Sequence, residues 1–378
     1  MALLSATPAM GWNSWNTFCA DISEALVKES AQAFLDNGLK NAGYRYLVLD
    51  DCWSLRKRDD HGKLVADPEK FPSGMKALSD HLHGMDLKFG IYSCAGILTC
   101  AGYPSSFEHE FTDAATFAEW GVDYLKYDYC NRPHNMDGKL LYRRMSMALR
   151  NSGRDILFSA CNWGHHEVET WIRTSGAHSW RSTGDIVDNF ASMRDIALSQ
   201  LDKGQYGAPY CYNDMDMLTV GMYGKGHVGV GGMNDDEYRT HFSIWCLMSS
   251  PLMIGCDVRN MTPAARDILT NPEIIAINQD PEGRMPYTMQ QWDDVFCHIL
   301  VKPLSNGDYA LGFFNMGDDN NRLASIQFWD MGLPTAAGYG FKLRDVWAHE
   351  DAGVAAEGHR EWIPPHCCKV YRASLVKL

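Results

Sequence analysis

The sequence predicts an α/β protein in which a (β/α)8 TIM barrel, residues 1–283, precedes a C-terminal antiparallel β-sandwich domain, residues 284–378. Three observations favour this fold class. Strand-like and helix-like segments alternate through most of the chain. Acidic residues stand where several predicted strands end. After residue 283 the pattern changes to short strands divided by Gly, Asn and Asp turns.

The alternation begins at the strand-like segment Pro8-Ala9-Met10-Gly11-Trp12-Asn13. A helix over residues 25–37 follows, opened by the capping pattern Asp21-x-x-Glu24 and closed at Gly38. Further strands are predicted at residues 46–50, 88–93, 124–128 and 156–161, and further helices at residues 75–83, 112–120 and 139–151.

The second half of the barrel keeps the same rhythm. Strands are predicted at residues 179–181 and 252–255, a strand-like segment at 210–214, and helices at 189–201 and 235–248. Thr262-Pro263 opens one last helix, with Thr as N-cap and Pro at the first helical position. Strand-end acidic residues suit both a barrel and an open sheet. The strand count decides for the barrel, because eight units exceed what a doubly wound sheet usually needs.

The C-terminal region contains short apolar runs separated by turn residues. They lie at residues 295–300, 309–314 and 324–328, and two more runs, at 342–347 and 368–371, extend the set. A sandwich is the form that such a set of antiparallel strands favours.

Composition and charge exclude some classes of partner. The net charge of −13 argues against nucleic acid, whose phosphates demand clustered Lys and Arg. No apolar run is long enough to span a membrane. The 12 Trp suit a site that stacks on sugar rings, although about two in three of them are expected in the core. A homo-oligomer is compatible with the sequence, but no feature specifies one.

The N-terminus and the cysteines bear on location and on metals. The first seven residues are too short and uncharged for a secretory signal. We therefore expect a cytoplasmic protein, or a secreted one if a signal has been removed. The 12 Cys show no Cys-x-x-Cys spacing, so no metal site is expected.

Carboxylates end three strand-like runs. Asp128 ends the run that begins at Tyr124, Asp185 ends the run from Trp180, and the Asp50-Asp51 pair follows Leu47-Val48-Leu49. Hydrolysis of a glycoside by a nucleophile and a general acid/base needs two carboxylates at such positions. A strand-end Asp can also be only a turn or helix cap, which the residues alone leave at about even odds.

Six motifs, in order along the chain up to Gly283, carry a family resemblance. They are Ala9-Met10-Gly11-Trp12-Asn13-Ser14-Trp15, Leu49-Asp50-Asp51-Cys52-Trp53, Thr99-Cys100-Ala101-Gly102-Tyr103-Pro104, Leu125-Lys126-Tyr127-Asp128-Tyr129-Cys130, Arg181-Ser182-Thr183-Gly184-Asp185-Ile186 and Ile275-Ala276-Ile277-Asn278-Gln279-Asp280-Pro281. This set resembles the melibiase-type glycoside hydrolases of family 27, which are mainly α-galactosidases and α-N-acetylgalactosaminidases. That family combines a barrel with a C-terminal β domain, as predicted above.

The resemblance implies a retaining double displacement without any cofactor. Asp128 is then the nucleophile and Asp185 the acid/base, so Asp128 has to be ionised while Asp185 is protonated at the start. Lys126 projects to the same side of its strand as Asp128 and is expected to keep it anionic and to hold a sugar hydroxyl. The implied sugar contacts are Trp12, Asp50, Asp51, Lys126, Cys161, Asn162, Trp163, Arg181 and Met217.

Several of these residues have individual roles in the resemblance. Asp50 and Asp51 accept hydrogen bonds from the 4- and 6-hydroxyls, which requires the strand to end by Asp51 because adjacent strand residues face opposite sides. Trp12 forms an aromatic wall, and Arg181 reaches the 2-position. Met217 touches the edge of the sugar. Asp214 and Asp216 of the same segment are expected to support the loop.

Three positions bear on the choice of sugar. Asp50, rather than Glu, favours a hexose over L-arabinopyranose. Asn162 replaces the Glu of eukaryotic α-galactosidases, and His165 stands where N-acetylgalactosaminidases have a small residue, so its bulk favours galactose. The other interpretation, at roughly one in three, is that a different loop shapes this subsite.

The resemblance also implies two disulfides, Cys19 with Cys52 and Cys100 with Cys130, which a reducing cytoplasm would keep as thiols. The function predicted is a retaining exo-glycosidase that removes terminal α-D-galactosyl residues from a carbohydrate. The alternatives are an α-N-acetylgalactosaminidase, a β-L-arabinopyranosidase, or a galactose-binding protein without activity.

Overall fold

The computed structural model describes residues 4–289 and 294–378. Eight parallel strands form one sheet that curls into a barrel. The strands are β1 (Met10–Asn13), β2 (Tyr46–Val48), β3 (Lys88–Cys94), β4 (Tyr124–Asp128), β5 (Leu157–Cys161), β6 (Ser179–Arg181), β7 (Tyr212–Asp214) and β8 (Leu252–Ile254).

The strand order shows how the sheet closes. Neighbours run from β7 in sequence down to β1, and β1 pairs on its other side with β8. Leu218, just after β7, bridges Ile254 of β8 in parallel. The Leu218 amide donates to the Met253 carbonyl at 2.7 Å, and the Gly255 amide donates to the Leu218 carbonyl at 2.9 Å. The two ends of the sheet therefore meet, and the predicted barrel is confirmed.

Helices follow the strands and surround the barrel. They are α1 (Trp15–Phe18), α2 (Glu24–Asp36), α3 (Leu39–Ala42), α4 (Gly74–Gly84), α5 (Glu110–Trp120), α6 (Gly138–Asn151), α7 (Ile172–Ser175), α8 (Phe190–Leu198), α9 (Asp235–Leu247), α10 (Pro263–Thr270) and α11 (Pro272–Asn278). Short 3-10 turns cover Val168–Thr170, Val258–Asn260, Phe328–Met331 and Thr335–Ala337. Within the described part of the chain, no helix is long and apolar enough to cross a membrane.

Of three predictions about the helices, two are wrong and one is confirmed. Helix α2 is capped by Ser23, whose side chain accepts from the Leu26 amide, and not by Asp21. The Glu24 carboxylate instead accepts from Lys28 and from the Ser73 amide. The Thr262 side chain caps α10 as predicted, but this is not the last helix, because α11 follows it.

The C-terminal region forms two antiparallel sheets, which confirms the sandwich. One has six strands in the order β14-β13-β16-β11-β10-β9, and the other pairs β12 with β15. The strands are β9 (Tyr287–Met289), β10 (Cys297–Pro303), β11 (Tyr309–Asn315), β12 (Arg322–Gln327), β13 (Tyr339–Asp345), β14 (Glu350–Ala355), β15 (Gly358–Ile363) and β16 (Cys368–Lys377). Apolar side chains from both sheets share one core, including Ile299, Phe313, Ile326, Phe341 and Ile363.

Helix α9 joins the barrel to the sandwich. It is buried along nearly its whole length, because it packs between the barrel and strands β11 and β16. The Thr240 hydroxyl donates to the His366 carbonyl at 2.7 Å, and the Trp347 indole donates to the Ser243 hydroxyl at 2.9 Å. We propose that the domain boundary lies at residues 283 and 284, between α11 and β9.

Candidate active site

A cavity of about 330 Å³ opens at the carboxyl ends of the barrel strands, the end where barrel enzymes place their sites. Its lining comes from the ends of strands β1 to β7 and the loops that follow them. The lining residues are Trp15, Asn16, Asp50, Asp51, Tyr92, Cys100, Lys126, Asp128, Trp163, Arg181, Asp185, Ile186, Val187, Asp216, Met217, His227, Val228 and Val230. Both predicted catalytic carboxylates, Asp128 and Asp185, are therefore in one cavity.

Asp128 is the last residue of β4 and is 5% exposed. Its Oδ1 accepts from the Tyr129 amide at 2.8 Å. Burial raises the pKa of Asp128 to about 6, although the positive charge of Lys126 acts in the opposite direction. Asp128 is thus ionised at neutral pH but poorly solvated. It therefore loses little solvation free energy when it gives up its negative charge on forming a bond, which suits a nucleophile.

Lys126 shares the strand face of Asp128, but its closest partner is Asp50. Its Nζ donates to Asp50 Oδ2 at 2.7 Å and lies 5.3 Å from the centre of the Tyr92 ring. Burial lowers the pKa of Lys126, but the attraction of Asp50 outweighs this and the net shift is upward. The predicted effect on Asp128 is present, yet it is too weak to overcome the burial of that carboxyl group.

The Asp50-Asp51 pair lies beyond the end of β2 at Val48, so both carboxylates can reach the cavity. Asp50 Oδ2 also accepts from Asn13 Nδ2 at 2.7 Å. Asp51 uses its two oxygens to accept from the amides of Cys52, at 2.7 Å, and Ala101, at 2.9 Å. Burial raises the pKa of Asp51. These contacts fix both side chains as hydrogen-bond acceptors in the wall of the cavity.

Asp185 follows β6, and its side chain is 71% exposed. Arg181 Nη2 donates to Asp185 Oδ1 at 2.8 Å. Partial burial acts to raise the pKa of Asp185, but Arg181 outweighs it and the pKa is lowered. In this structure the pKa order is the reverse of that predicted for the first step, because the acid/base candidate is ion-paired while the nucleophile candidate is buried.

Arg181 contacts a second carboxylate that the sequence interpretation assigned only to loop support. Its Nη1 lies 2.9 Å from Oδ1 of Asp216, which lines the same cavity. Asp216 Oδ2 accepts from the Ile186 amide at 2.8 Å. The acidic segment Asn213-Asp214-Met215-Asp216-Met217 is visible in the sequence. Its contact with Arg181 could not be predicted from it, because that contact depends on how the loops after β6 and β7 meet.

The prediction that Trp12 forms the aromatic wall of the site is wrong. Trp12 is fully buried, and its indole donates to the Cys256 carbonyl at 3.0 Å. In β1 the neighbouring side chain of Asn13 faces Asp50, so Trp12 faces the helices instead. Trp15, three residues later, lines the cavity, where its ring meets His227 edge to face.

Of the remaining predicted sugar contacts, two line the cavity and two are buried. Trp163 lines the cavity, as does Met217 from the loop after β7. Cys161 is buried beneath Arg181, whose Nη1 lies 3.7 Å from its sulfur. Asn162 is also buried and donates to the His165 carbonyl at 2.9 Å. Cys161 lines a small adjoining cavity together with Lys126, Arg181, Asp216 and Met217, whereas Asn162 lines neither cavity, so the sugar contacts of these two residues stay predictions.

His165 does not belong to the cavity lining either. Its side chain is exposed and lies against the rings of Tyr129 and Trp163. Neither Asn162 nor His165 lines the cavity, which favours the other interpretation, that a different loop shapes the subsite at the 2-position. That loop follows β7 and supplies His227, Val228 and Val230. Its many Gly residues predict a turn-rich loop, but nothing in them indicates the cavity.

One of the two predicted disulfides is present. Cys100 and Cys130 are bonded, with 5.1 Å between their Cα atoms, and Cys100 lines the cavity beside Asp128. Cys19 and Cys52 are free thiols, so this second pairing is wrong in this structure. Burial, followed by the charge of Asp51, raises the pKa of Cys52 to about 12. Its thiol therefore stays protonated, and a protonated thiol is unreactive toward disulfide exchange.

Comparison with known proteins identifies both regions of the chain. A family model described as "Alpha galactosidase A" matches residues 7–280, and one described as "Alpha galactosidase C-terminal beta sandwich domain" matches residues 296–373. "Alpha-galactosidase 2" of Arabidopsis thaliana is 42% identical over 369 residues, which cover 97% of this chain and 89% of that protein.

Solved structures agree with these matches. The crystal structure of α-galactosidase I from Mortierella vinacea superposes with a TM-score of 0.90 at 34% identity and covers 98% of this chain and 97% of its own. The α-galactosidase from Saccharomyces cerevisiae with raffinose gives 0.87 at 31% identity, covering 99% and 98%. By sequence and by structure, the chain belongs to the melibiase-type α-galactosidase family, glycoside hydrolase family 27.

Proposed function

We propose that this protein removes terminal α-D-galactosyl residues from galactosides by a retaining double displacement. The observation that carries the proposal is the meeting of Asp128, buried at the end of β4, with the exposed Asp185 in one cavity. Two carboxyl groups in such different surroundings can take the two separate roles that the reaction needs.

In the first step, Asp128 attacks the anomeric carbon and forms a covalent galactosyl ester. The bond from that carbon to the leaving oxygen breaks, and Asp185 donates its proton to this oxygen. In the second step, Asp185 takes a proton from water, which attacks the anomeric carbon and releases Asp128. Two inversions restore the α configuration.

The pair of Asp50 and Lys126 supports the choice of a hexose. Asp50 is 2% exposed and already accepts from Lys126 and Asn13. Asp51 lies beside it, so two acceptors and one donor are fixed on one side of the cavity. A sugar whose hydroxyls match these groups is favoured over one that leaves them unpaired in a desolvated site.

The other sugars remain as alternative substrates. An α-N-acetylgalactosaminidase would need space for an acetamido group at the 2-position, which the family resemblance places beside Arg181, and Arg181 lines the cavity together with His227, Val228 and Val230. A β-L-arabinopyranosidase would bind a sugar without the group at carbon 6. A galactose-binding protein without activity is disfavoured because both carboxylates are in place.

The location of the protein is proposed separately. The cytoplasm and secretion are the two candidate compartments. The Cys100–Cys130 disulfide supports secretion, because structural disulfides persist mainly in oxidising compartments, whereas in a reducing cytoplasm the two cysteines would be thiols.

A comparison of three p-nitrophenyl glycosides tests the proposal: the α-galactoside, the α-N-acetylgalactosaminide and the β-L-arabinopyranoside. We expect the α-galactoside to have the highest kcat/KM and raffinose also to be cleaved. Asp128→Asn should abolish turnover while the protein still binds galactose. A higher kcat/KM for either other glycoside, or unchanged activity in Asp128→Asn, would refute it.

A further inference from the structure

One guanidinium serves two carboxylates at the rim of the cavity. Arg181 donates from Nη2 to Asp185 at 2.8 Å, while its Nη1 lies 2.9 Å from Asp216. The Arg181 side chain is 5% exposed and that of Asp216 is 4% exposed, whereas Asp185 is 71% exposed. The cluster therefore contains one buried guanidinium, one buried carboxyl group and one exposed carboxyl group.

Three N–H groups donate hydrogen bonds to Asp216. Its Oδ1 accepts from the Met217 amide at 2.7 Å and its Oδ2 from the Ile186 amide at 2.8 Å. The Trp245 indole donates to its carbonyl at 2.8 Å. Burial raises the pKa of Asp216, while the charge of Arg181 and the N–H groups that both carboxylate oxygens accept act in the opposite direction and stabilise its ionised form. Asp216 also ties the residue after Asp185 to the loop that follows β7.

The reaction needs Asp185 in two states, protonated in the first step and ionised in the second. A carboxylate whose only close partner is an arginine stays ionised. The charged or titratable groups that act on Asp185 or Arg181, or that line the same cavity, are Arg181, Lys126, His227, Cys161, Tyr92, Asp50, Asp51, Asp128, Asp214 and Asp216. Besides Asp185 itself, Asp216 is the carboxylate in direct contact with Arg181, so it competes with Asp185 for the positive charge of the guanidinium.

We propose that Asp216 is a positioning residue that shares Arg181 with Asp185, and that the division of this charge decides whether Asp185 holds a proton. The inference rests on the proposed function. A sugar in the cavity removes water from Asp185 and disfavours its charged form. Asp216 then neutralises Arg181, and Asp185 takes a proton from solvent. That proton passes to the leaving oxygen in the first step and is replaced from water in the second.

The pH dependence of Asp216→Asn tests this role. Without the negative charge, Arg181 acts on Asp185 alone, so we expect the alkaline limb of kcat/KM to move to lower pH by about one pH unit or more. The loss at pH 7 should be about tenfold greater for methyl α-galactoside than for the p-nitrophenyl substrate, whose leaving group needs less protonation. Asp216→Glu, which keeps the charge, should retain the limb near its wild-type position.

A purely structural role would give a different pattern. It predicts equal losses for both substrates at every pH, with the alkaline limb unmoved, and that result would overturn the inference. Asp216→Asn could also fail to fold, since the residue is buried. A second measurement therefore uses Asp128→Asn, in which no turnover occurs and the buried carboxyl group of Asp128 cannot contribute a proton.

Calorimetric titration of Asp128→Asn with galactose, in buffers of different ionisation enthalpy, measures protons bound with the sugar. We expect proton uptake near pH 7, and its loss in the double variant Asp128→Asn/Asp185→Asn. No uptake, or uptake that survives in the double variant, would overturn the inference. Failure of the proposed function is distinguishable, because it appears as absence of hydrolysis in the wild-type protein.

Discussion

Lys126 Nζ donates to Asp50 Oδ2 at 2.7 Å, although Lys126 shares a strand and a strand face with Asp128. The ion pair joins β4 to the loop after β2, across the intervening strand β3. It holds Asp50 in the wall of the cavity, and it leaves the pKa of Asp128 to be decided mainly by burial.

Lys126→Met is expected to reduce both stability and activity. It leaves the buried carboxylate of Asp50 without its cation, and breaking a buried pair in this way costs about 3–5 kcal/mol of unfolding free energy. It also removes the charge that lowers the pKa of Asp128, so the acid limb of kcat/KM should lie at higher pH than in the wild-type protein. Denaturant unfolding and pH profiles measure the two effects.

The control for this variant is Lys76→Met. Lys76 pairs with Asp80 on the exposed face of α4, where an ion pair contributes about 0.2–1 kcal/mol. An equal loss of stability in the two variants would contradict the importance assigned to the Lys126–Asp50 pair.

Asp128→Asn should be more stable than the wild-type protein at pH 7, although it is inactive. A pKa raised from 3.8 to about 6 corresponds to about 3 kcal/mol. Because the folded protein binds this proton more tightly than the unfolded chain does, ionised Asp128 lowers stability above pH 6. The penalty disappears as the pH falls below about 4. Thermal unfolding at pH 7 and at pH 4 should therefore show a gain that shrinks at the lower pH.

Asp123→Asn is the control for this prediction, because it is expected to lower stability where Asp128→Asn raises it. Asp123 accepts from Arg154 at 2.6 Å and from the Phe89 amide at 2.9 Å, so its loss should destabilise the protein at pH 7. A destabilised Asp128→Asn at pH 7 would show that the burial of Asp128 does not carry this energetic cost.

Trp12 and Trp15 form a matched pair that tests the corrected aromatic wall. Trp15→Ala should raise KM with little change in unfolding free energy, because this side chain lines the cavity and is only partly buried. Trp12→Ala should cost about 3–5 kcal/mol of stability, as large core truncations do. Kinetics and denaturant unfolding of both variants give the answer, and a raised KM in a stable Trp12→Ala would restore the first interpretation.

Counting reactive thiols tests the cysteine assignment. Alkylation of the unfolded protein without reductant should modify the 10 free cysteines, and reduction should bring the number to all 12. Mass spectrometry reads both counts. Only eight thiols before reduction would indicate that Cys19 and Cys52 pair after all.

The barrel could be predicted because its strands carry strong local patterns. Strand β4 has the predicted bounds, since a run of mostly apolar, buried side chains ends at an Asp followed by a loop. Strand β14, by contrast, was missed because its side chains lie almost entirely in solvent and show no apolar period. Edge strands of this kind are held by backbone pairing, which leaves little trace in the sequence.

The site could be predicted only where one strand carries the residue. Asp128 and Lys126 follow from the period of β4. The choice of Trp15 over Trp12 depends on which face of the short strand β1 points inward, and four residues do not decide that. The contact between Arg181 and Asp216 joins residues from two different loops, so only the closed barrel brings it about.

The roles of Asp128 and Asp185 can be assigned together by rescue with azide. Variants Asp128→Gly and Asp185→Gly are incubated with p-nitrophenyl α-galactoside and sodium azide, and the anomer of each galactosyl azide is determined by proton NMR. Azide replaces the nucleophile on the β face in the first variant and attacks the covalent ester from the α face in the second. The predicted products are β-galactosyl azide from Asp128→Gly and α-galactosyl azide from Asp185→Gly, and the opposite pair of anomers would contradict the assignment.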